Sequence, residues 1–175
     1  MHAESERTRT FTWHDPLVAM AAAHRMTGRS YLDALREGRL PAPPMVELMG
    51  FELREVGDGC VVFTATPQEY YYNGIGLMHG GFAATLLDTT IGCAVLTTVP
   101  AEKVATTLDL QVRYFRPLTM QSGTLRCEGR VINIGRSTTT AEGQIFDGAG
   151  RLCGHGTSTL ALIVPDARHF PALER

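Results

Sequence analysis

The chain is 175 residues long, 44% hydrophobic and 19% charged, with a formal net charge of −2. That length fits one domain with a sizeable core, since single domains run to roughly 100–200 residues. The near-neutral balance excludes a globally basic surface for nucleic acid or anionic lipid, so an anionic ligand has to be held by a few local arginines.

The N-terminal quarter opens the element order. Asp15-Pro16 reads as the N-cap and first residue of a helix carrying the apolar run Leu17–Met26, which stops before Gly28. Ser30 is expected to cap a second short helix with Leu32 and Leu35, ending at Gly38. Pro41-Ala42-Pro43-Pro44 reads as a stiff, non-helical connector. The expected organisation is an N-terminal helical extension over residues 1–45, a main domain over 46–164 and a C-terminal tail over 165–175.

Beyond Gly50 the pattern becomes that of strands. Phe51–Val56, the turn Gly57-Asp58-Gly59 and Cys60–Thr66 resemble a β-hairpin. A long helix is expected from about His79 to Thr98, halted by Pro100. Its apolar stretch Gly80–Val99 reaches membrane-spanning length. Asp88 and several threonines within it favour a buried helix of a soluble protein. Leu108, Leu110, Val112 and Tyr114 then alternate with Thr107, Asp109, Gln111 and Arg113, a period of two. Three further strands are expected at Thr124–Ile132, Thr138–Phe146 and Cys153–Ile163, with turns at Pro117, Gly135 and Asp147-Gly148. The order β-β-α-β-β-β-β gives an α+β layout, one helix against one antiparallel sheet. A helix apolar on most faces implies that the sheet wraps it from more than one side.

The four cysteines, Cys60, Cys93, Cys127 and Cys153, form no C-x-x-C pair and no Cys/His cluster at metal-ligand spacing. No basic segment followed by an apolar run opens the chain, so a signal peptide is not expected and a cytoplasmic setting with unpaired thiols is. No metal or separate cofactor is expected. His155 reads as a packed or edge histidine, and His2, His14, His24 and His169 have no nameable partner.

Asp88 most needs explaining, because an unpaired buried carboxylate costs several kcal/mol, roughly. Thr85, Thr89 or an arginine is available to satisfy it structurally. His79-Gly80-Gly81 opens the same helix, where unpaired backbone N–H groups and the positive dipole end suit an oxyanion. Taken alone, that triplet is better accounted for by a plain N-terminal cap with crowding-relieving glycines. Spacing adds information: Gly80 and Asp88 are separated by about 12 Å along a helix axis and about 80° around it. Both therefore cannot reach one carbonyl carbon, which needs contacts near ~3 Å. If both act in one reaction, Asp88 comes from a second copy of the chain.

The run Y-N-x-x-G-x-x-H-G-G-x-x-x-x-L-x-D, Tyr72 to Asp88, resembles the signature of PaaI-like hotdog-fold acyl-CoA thioesterases. T-L-D-L-Q-V-R-Y-F-R-P (Thr107–Pro117) and I-N-I-G-R-S (Ile132–Ser137) match that branch in order and spacing, over roughly residues 45–164. The resemblance implies a hotdog fold: one long central helix wrapped by a curved antiparallel sheet of about five to six strands. It implies hydrolysis of an acyl-CoA thioester to free acid and CoA, in a homodimer that pairs into a dimer of dimers. Asp88 would be general base or nucleophile, and the Gly80 N–H the oxyanion donor. His79 would orient the loop, and Asn73 would position the thioester or the attacking water. Thr107, or else Thr106, would support the carboxylate across the subunit boundary. Arg116, Gly135, Arg136 and Ser137 would hold CoA, with Arg113 and Lys103 as weaker candidates; Leu77, Met78 and Phe82 line either the acyl pocket or the core. The Tyr70-Tyr71-Tyr72 run either shields the entrance or packs on the sheet.

Two other functions compete. A non-catalytic acyl-CoA or acyl-carrier binding module would use the same pocket but has no need of a buried carboxylate. Hydration of an enoyl thioester is a further hotdog chemistry, but its Asp and His are typically spaced differently from those here.

Overall fold

The computed structural model describes residues 6–165; His2, His169 and nearly all of the expected tail lie outside them. Helix α1 (Pro16–Ala23) starts where the sequence puts it, with the Asp15 side chain accepting from the Leu17 N–H at 2.9 Å. Helix α2 (Gly28–Arg36) differs from expectation: Thr27, not Ser30, is its N-cap, and Thr27 Oγ1 accepts from the Ser30 N–H. Gly28 is thus the first residue of a helix rather than a break. A Cβ there would meet the Leu96 carbonyl oxygen at 1.9 Å, and the Gly28 N–H donates to Val99 O at 3.1 Å. The glycine lets the start of α2 touch the end of the central helix. Nor is the proline cluster wholly non-helical. Pro44 opens a third short helix, α3 (Pro44–Met49), at the position where its missing N–H costs nothing, and Gly50 ends it with φ 64°.

The hairpin β1 (Phe51–Gly57) and β2 (Cys60–Ala65) follows, then a 3-10 turn at Glu69–Tyr71 and the central helix α4 (Gly80–Leu96). Strands β3 (Val104–Tyr114), β4 (Leu125–Ile134), β5 (Thr138–Phe146) and β6 (Leu152–Ile163) complete one six-stranded antiparallel sheet, in the order β1-β2-β4-β5-β6-β3. The sheet curves round α4, which packs on all six strands, the expected hotdog arrangement. Leu86, Leu87, Ile91, Ala94 and Val95 of α4 are fully buried against it.

Two local features set how closely helix and sheet meet. Gly129, Gly143 and Gly156 pair in register across β4, β5 and β6. A Cβ on the first two would press on Thr90 O at 2.7 Å and on Ile91 and Leu87 at 3.0 and 3.1 Å. This bare row is the track on which α4 lies. The second feature is a bulge in β3 between Thr107 and Asp109, which leaves Leu108 exposed. The sequence predicts Thr107 on the face opposite Leu110, Val112 and Tyr114. The extra residue turns the strand over, so all four address the helix side.

Helices α2 and α3 pack on β1, and α1 and α2 pack on each other. No helix among the described residues is long and apolar enough to cross a membrane.

Candidate active site

His79 is the N-cap of α4, and its Nδ1 accepts from the Gly81 N–H at 2.8 Å. An accepting Nδ1 places the ring proton on Nε2. The His79 N–H donates to Tyr71 O at 2.8 Å, which ties the helix start to the turn before it. One first-turn donor is thereby used by the cap, while the Gly80 N–H has no acceptor among the described residues. Gly80 borders a pocket of about 200 Å³, together with Asn73, Leu77, Met78, Tyr114, Arg116 and Leu118, among others. An unpaired N–H at a helix N-terminus is a ready donor for a developing oxyanion.

The loop beneath this pocket is built by Asn73. Its Oδ1 accepts from the Ile75 and Leu77 N–H groups at 3.0 and 3.1 Å, and its own N–H donates to Leu77 O at 2.7 Å. The side-chain carbonyl therefore organises the loop, which leaves the amide NH2 as the group for a ligand. Of the other loop candidates, Leu77 and Met78 border the pocket. Phe82 belongs to the core and packs on Phe51 and Tyr71. Within the tyrosine run, Tyr71 packs on Phe82, Tyr70 lies under Arg9, and the Tyr72 hydroxyl accepts from the Met120 N–H.

Asp88 is two turns further along α4, half-buried rather than enclosed. It lies with Gly81, Ala84, Thr85 and Gly92 on the stripe of the helix that the sheet does not fully cover. Its Oδ1 accepts from Thr107 Oγ1 at 3.0 Å. This bond is within one chain, whereas the sequence reading expects Thr107 to support the carboxylate across the subunit boundary. It comes from β3 of the same chain, delivered by the bulge, and Thr107 rather than Thr106 makes it. Thr85, another sequence candidate, bonds Gly81 O instead.

Asp88 is absent from the pocket that holds Gly80, Asn73 and His79. The candidate CoA residues divide in the same way. Arg116 borders the Gly80 pocket, and its guanidinium donates to Leu152 O. Gly135, Arg136 and Ser137 form the turn between β4 and β5, at the far end of the sheet. Ile145 and Gly154 pair beside Tyr114 at the Gly80 end, whereas Thr138 pairs with Ala161, which in turn pairs with Thr106. Seven residues of β5 separate the two ends, about 24 Å. Lys103 lies beside α1, next to Pro16 and Ala23, and Arg113 is exposed on the outer side of β3.

Sequence reasoning missed Tyr114 as a partner of the helix start: its hydroxyl donates to Gly80 O at 2.8 Å. Only its place in the alternating strand signalled that it faced inward. His155 does pair, with Glu142 at 3.1 Å, on the face of the sheet turned away from α4. Cys127 and Cys153 are buried and Cys60 is exposed. Among the described residues no cluster of three or more His, Cys, Asp or Glu side chains is arranged to hold a metal. A larger recess, about 500 Å³, lies between α2, α3 and β1 and contains none of the candidate residues.

Known proteins share parts of this sequence and its fold. The family model described as thioesterase superfamily matches residues 75–154. A Halobacterium salinarum protein provisionally named an esterase is 33% identical over 103 residues, covering 56% of this chain and 66% of its own length. The chain thus spans just under two thirds of that relative. A thioesterase from Haemophilus influenzae has a TM-score of 0.68 at 22% identity, covering 76% of this chain and 90% of the other. The Escherichia coli PaaI protein of the phenylacetic acid degradation operon has a TM-score of 0.67 at 19% identity, covering 78% and 95%. Both structures share the fold described above.

Proposed function

We propose that the chain is a PaaI-like hotdog thioesterase, which hydrolyses acyl-CoA thioesters at two sites shared between the subunits of a homodimer; the match to the thioesterase superfamily over residues 75–154 supports this reading. The observation that carries the reading is the split of its chemical groups. A half-exposed carboxylate held by Thr107 lies about 12 Å along α4 from an unpaired Gly80 N–H beside a pocket. Each is half of a hydrolytic site, and neither half serves without a partner.

In this reading two α4 helices lie side by side along their uncovered stripes, and the Gly80 pocket of one chain faces Asp88 of the other. The thioester carbonyl oxygen accepts from the Gly80 N–H. Asp88 acts as general base on a water, or itself as nucleophile. Attack on the carbonyl carbon moves charge onto the oxygen, where the N–H and the helix dipole stabilise it. Collapse expels the CoA thiolate, which takes up a proton; where Asp88 is the nucleophile, a water then hydrolyses the resulting acyl-Asp88 anhydride, releasing the acid and restoring the carboxylate. The Asn73 amide NH2 positions the thioester or the water, and His79 keeps the loop in place. Arg116 of one chain and the Gly135-Arg136-Ser137 turn of the other flank the CoA phosphates; the split between the two ends of the sheet supports that assignment.

Thiol release over an acyl-CoA panel tests the reaction. Asp88→Ala should lower turnover by about 10²–10⁴ while the circular dichroism spectrum and melting temperature stay near those of the parent. Mixing Asp88→Ala chains with chains carrying His79→Ala and Gly80→Pro should recover part of the activity, since one site of each mixed dimer is whole. Stable mixed dimers with no recovery would refute the shared site. Tight acyl-CoA binding without thiol release would point instead to a binding module.

A further inference from the structure

The oxyanion donor in the reading above is a backbone group, so its position depends on whatever holds the first turn of α4. The cap from His79 fixes the loop side of that turn. The opposite side is held from β3. Tyr114 donates its hydroxyl to Gly80 O at 2.8 Å, and its ring lies directly against the glycine. A Cβ on Gly80 would sit 3.2 Å from Tyr114 Oη and 3.3 Å from Cζ, closer than nearly all real contacts. Gly80 is thus bare where Tyr114 covers it, which is a second reason for glycine there besides access for a substrate.

Tyr114 is unusual among the aromatic residues of the strands, because it is 54% exposed yet makes a specific bond to the helix start. A ring recruited only for core packing would be buried, as Phe63 is. The exposed part of Tyr114 instead forms a wall of the Gly80 pocket. The bulge at Leu108 gives the arrangement a shared origin. It brings Thr107 and Tyr114 onto one side of β3, so a single strand bonds both Asp88 and the Gly80 peptide.

We infer that Tyr114 is a positioning residue: its hydroxyl bond to the Gly80 carbonyl and its ring against the Gly80 Cα hold the Gly80 N–H in line with the thioester oxygen. The inference rests on the proposed hydrolysis for its kinetic consequence, though not for the bond itself. A donor set by one extra hydrogen bond acts mainly in the transition state, where the oxygen carries charge, so its loss lowers kcat and leaves KM nearly unchanged.

The test is Tyr114→Phe, which keeps the ring and removes the hydroxyl. Kinetics on an acyl-CoA that the parent hydrolyses are read beside amide hydrogen exchange at Ala83 and Ala84, whose N–H groups close the first turn of α4. The expected result is a kcat about tenfold lower with KM within about twofold, and faster exchange at the two amides. A kcat within about twofold of the parent would overturn the inference. So would a loss of kcat that follows only a lowered melting temperature, with exchange rising throughout the chain. If the parent releases no thiol from any acyl-CoA, the proposed function falls and exchange alone decides for Tyr114. Unchanged exchange at Ala83 and Ala84 then overturns the inference, and a rise confined to that turn supports it.

Discussion

Thr107 and Asp88 are nineteen positions apart in the chain and meet through one hydrogen bond, whereas Thr85, one helical turn from Asp88, faces away to Gly81 O. Sequence proximity favoured the wrong threonine, because a threonine inside a helix can satisfy its hydroxyl on the carbonyl four residues back. Thr90 does the same on Leu86 O. A carboxylate on the same helix must look elsewhere for a donor. Glu142 gives a case away from the site. His155, and then Arg130, hold its carboxyl below the ordinary value of 4.5. A group whose value is depressed by folding stabilises the native state above its unfolded value. That contribution disappears as pH falls through the folded value. Glu142→Gln should therefore flatten the acid side of the stability profile below about pH 4.5, with little change in shape at higher pH. Urea titrations at stepped pH values read this directly, and an acid limb identical to the parent's would contradict it.

The elements themselves were largely legible. Apolar periodicity, the Asp-Gly and Gly-Arg turns and the halting Pro100 locate β1 to β6 and α4 within a few residues of where they lie. Three features were not, and each has a physical cause. The N-cap of α2 depends on which of two hydroxyl residues three positions apart takes the β-region backbone; Thr27 does, because Gly28 must start the helix against Leu96. Pro44 looks like a breaker in sequence but is compatible with a first helical turn. The β3 bulge leaves no mark in the residue pattern, since strict alternation reads through it, and only pairing with β6 reveals the shift. Without that shift Thr107 would point away from Asp88, so the sequence supplies the site's residue types but not their convergence. The glycine row across β4, β5 and β6 makes a prediction at this scale. Gly143→Ala puts a methyl group against Ile91 and Leu87, and should cost about 1–3 kcal/mol as an overpacked core. Denaturant unfolding with an unchanged m-value would confirm a packing loss, while an unchanged midpoint would show that α4 can shift.

At the scale of the molecule, the sheet has two edges with different treatment. Strand β1 carries charged Glu52, Arg54 and Glu55 and a bulge, and α2 and α3 lie against it. Strand β3 at the other end carries exposed Leu108 and Tyr114 beside the uncovered stripe of α4. If a second copy completes the site there, activity per chain should fall on dilution through the dimer dissociation range. It should return when the concentration is restored. Specific activity and sedimentation measured over the same dilution series check this, and activity unchanged in fully monomeric protein would exclude a shared site.

The guarded β1 edge has a consequence for how far such assembly can run. A chain with two open edges could add copies at both ends and grow without limit, as stacked strands do in fibrils. A self-complementary contact through the β3 side uses the same patch on both copies and is exhausted at two. Helices α2 and α3, which contribute none of the candidate active-site residues, would then have a second use: packed against β1 beside its charges and bulge, they help to keep that end of the sheet from taking on a further chain.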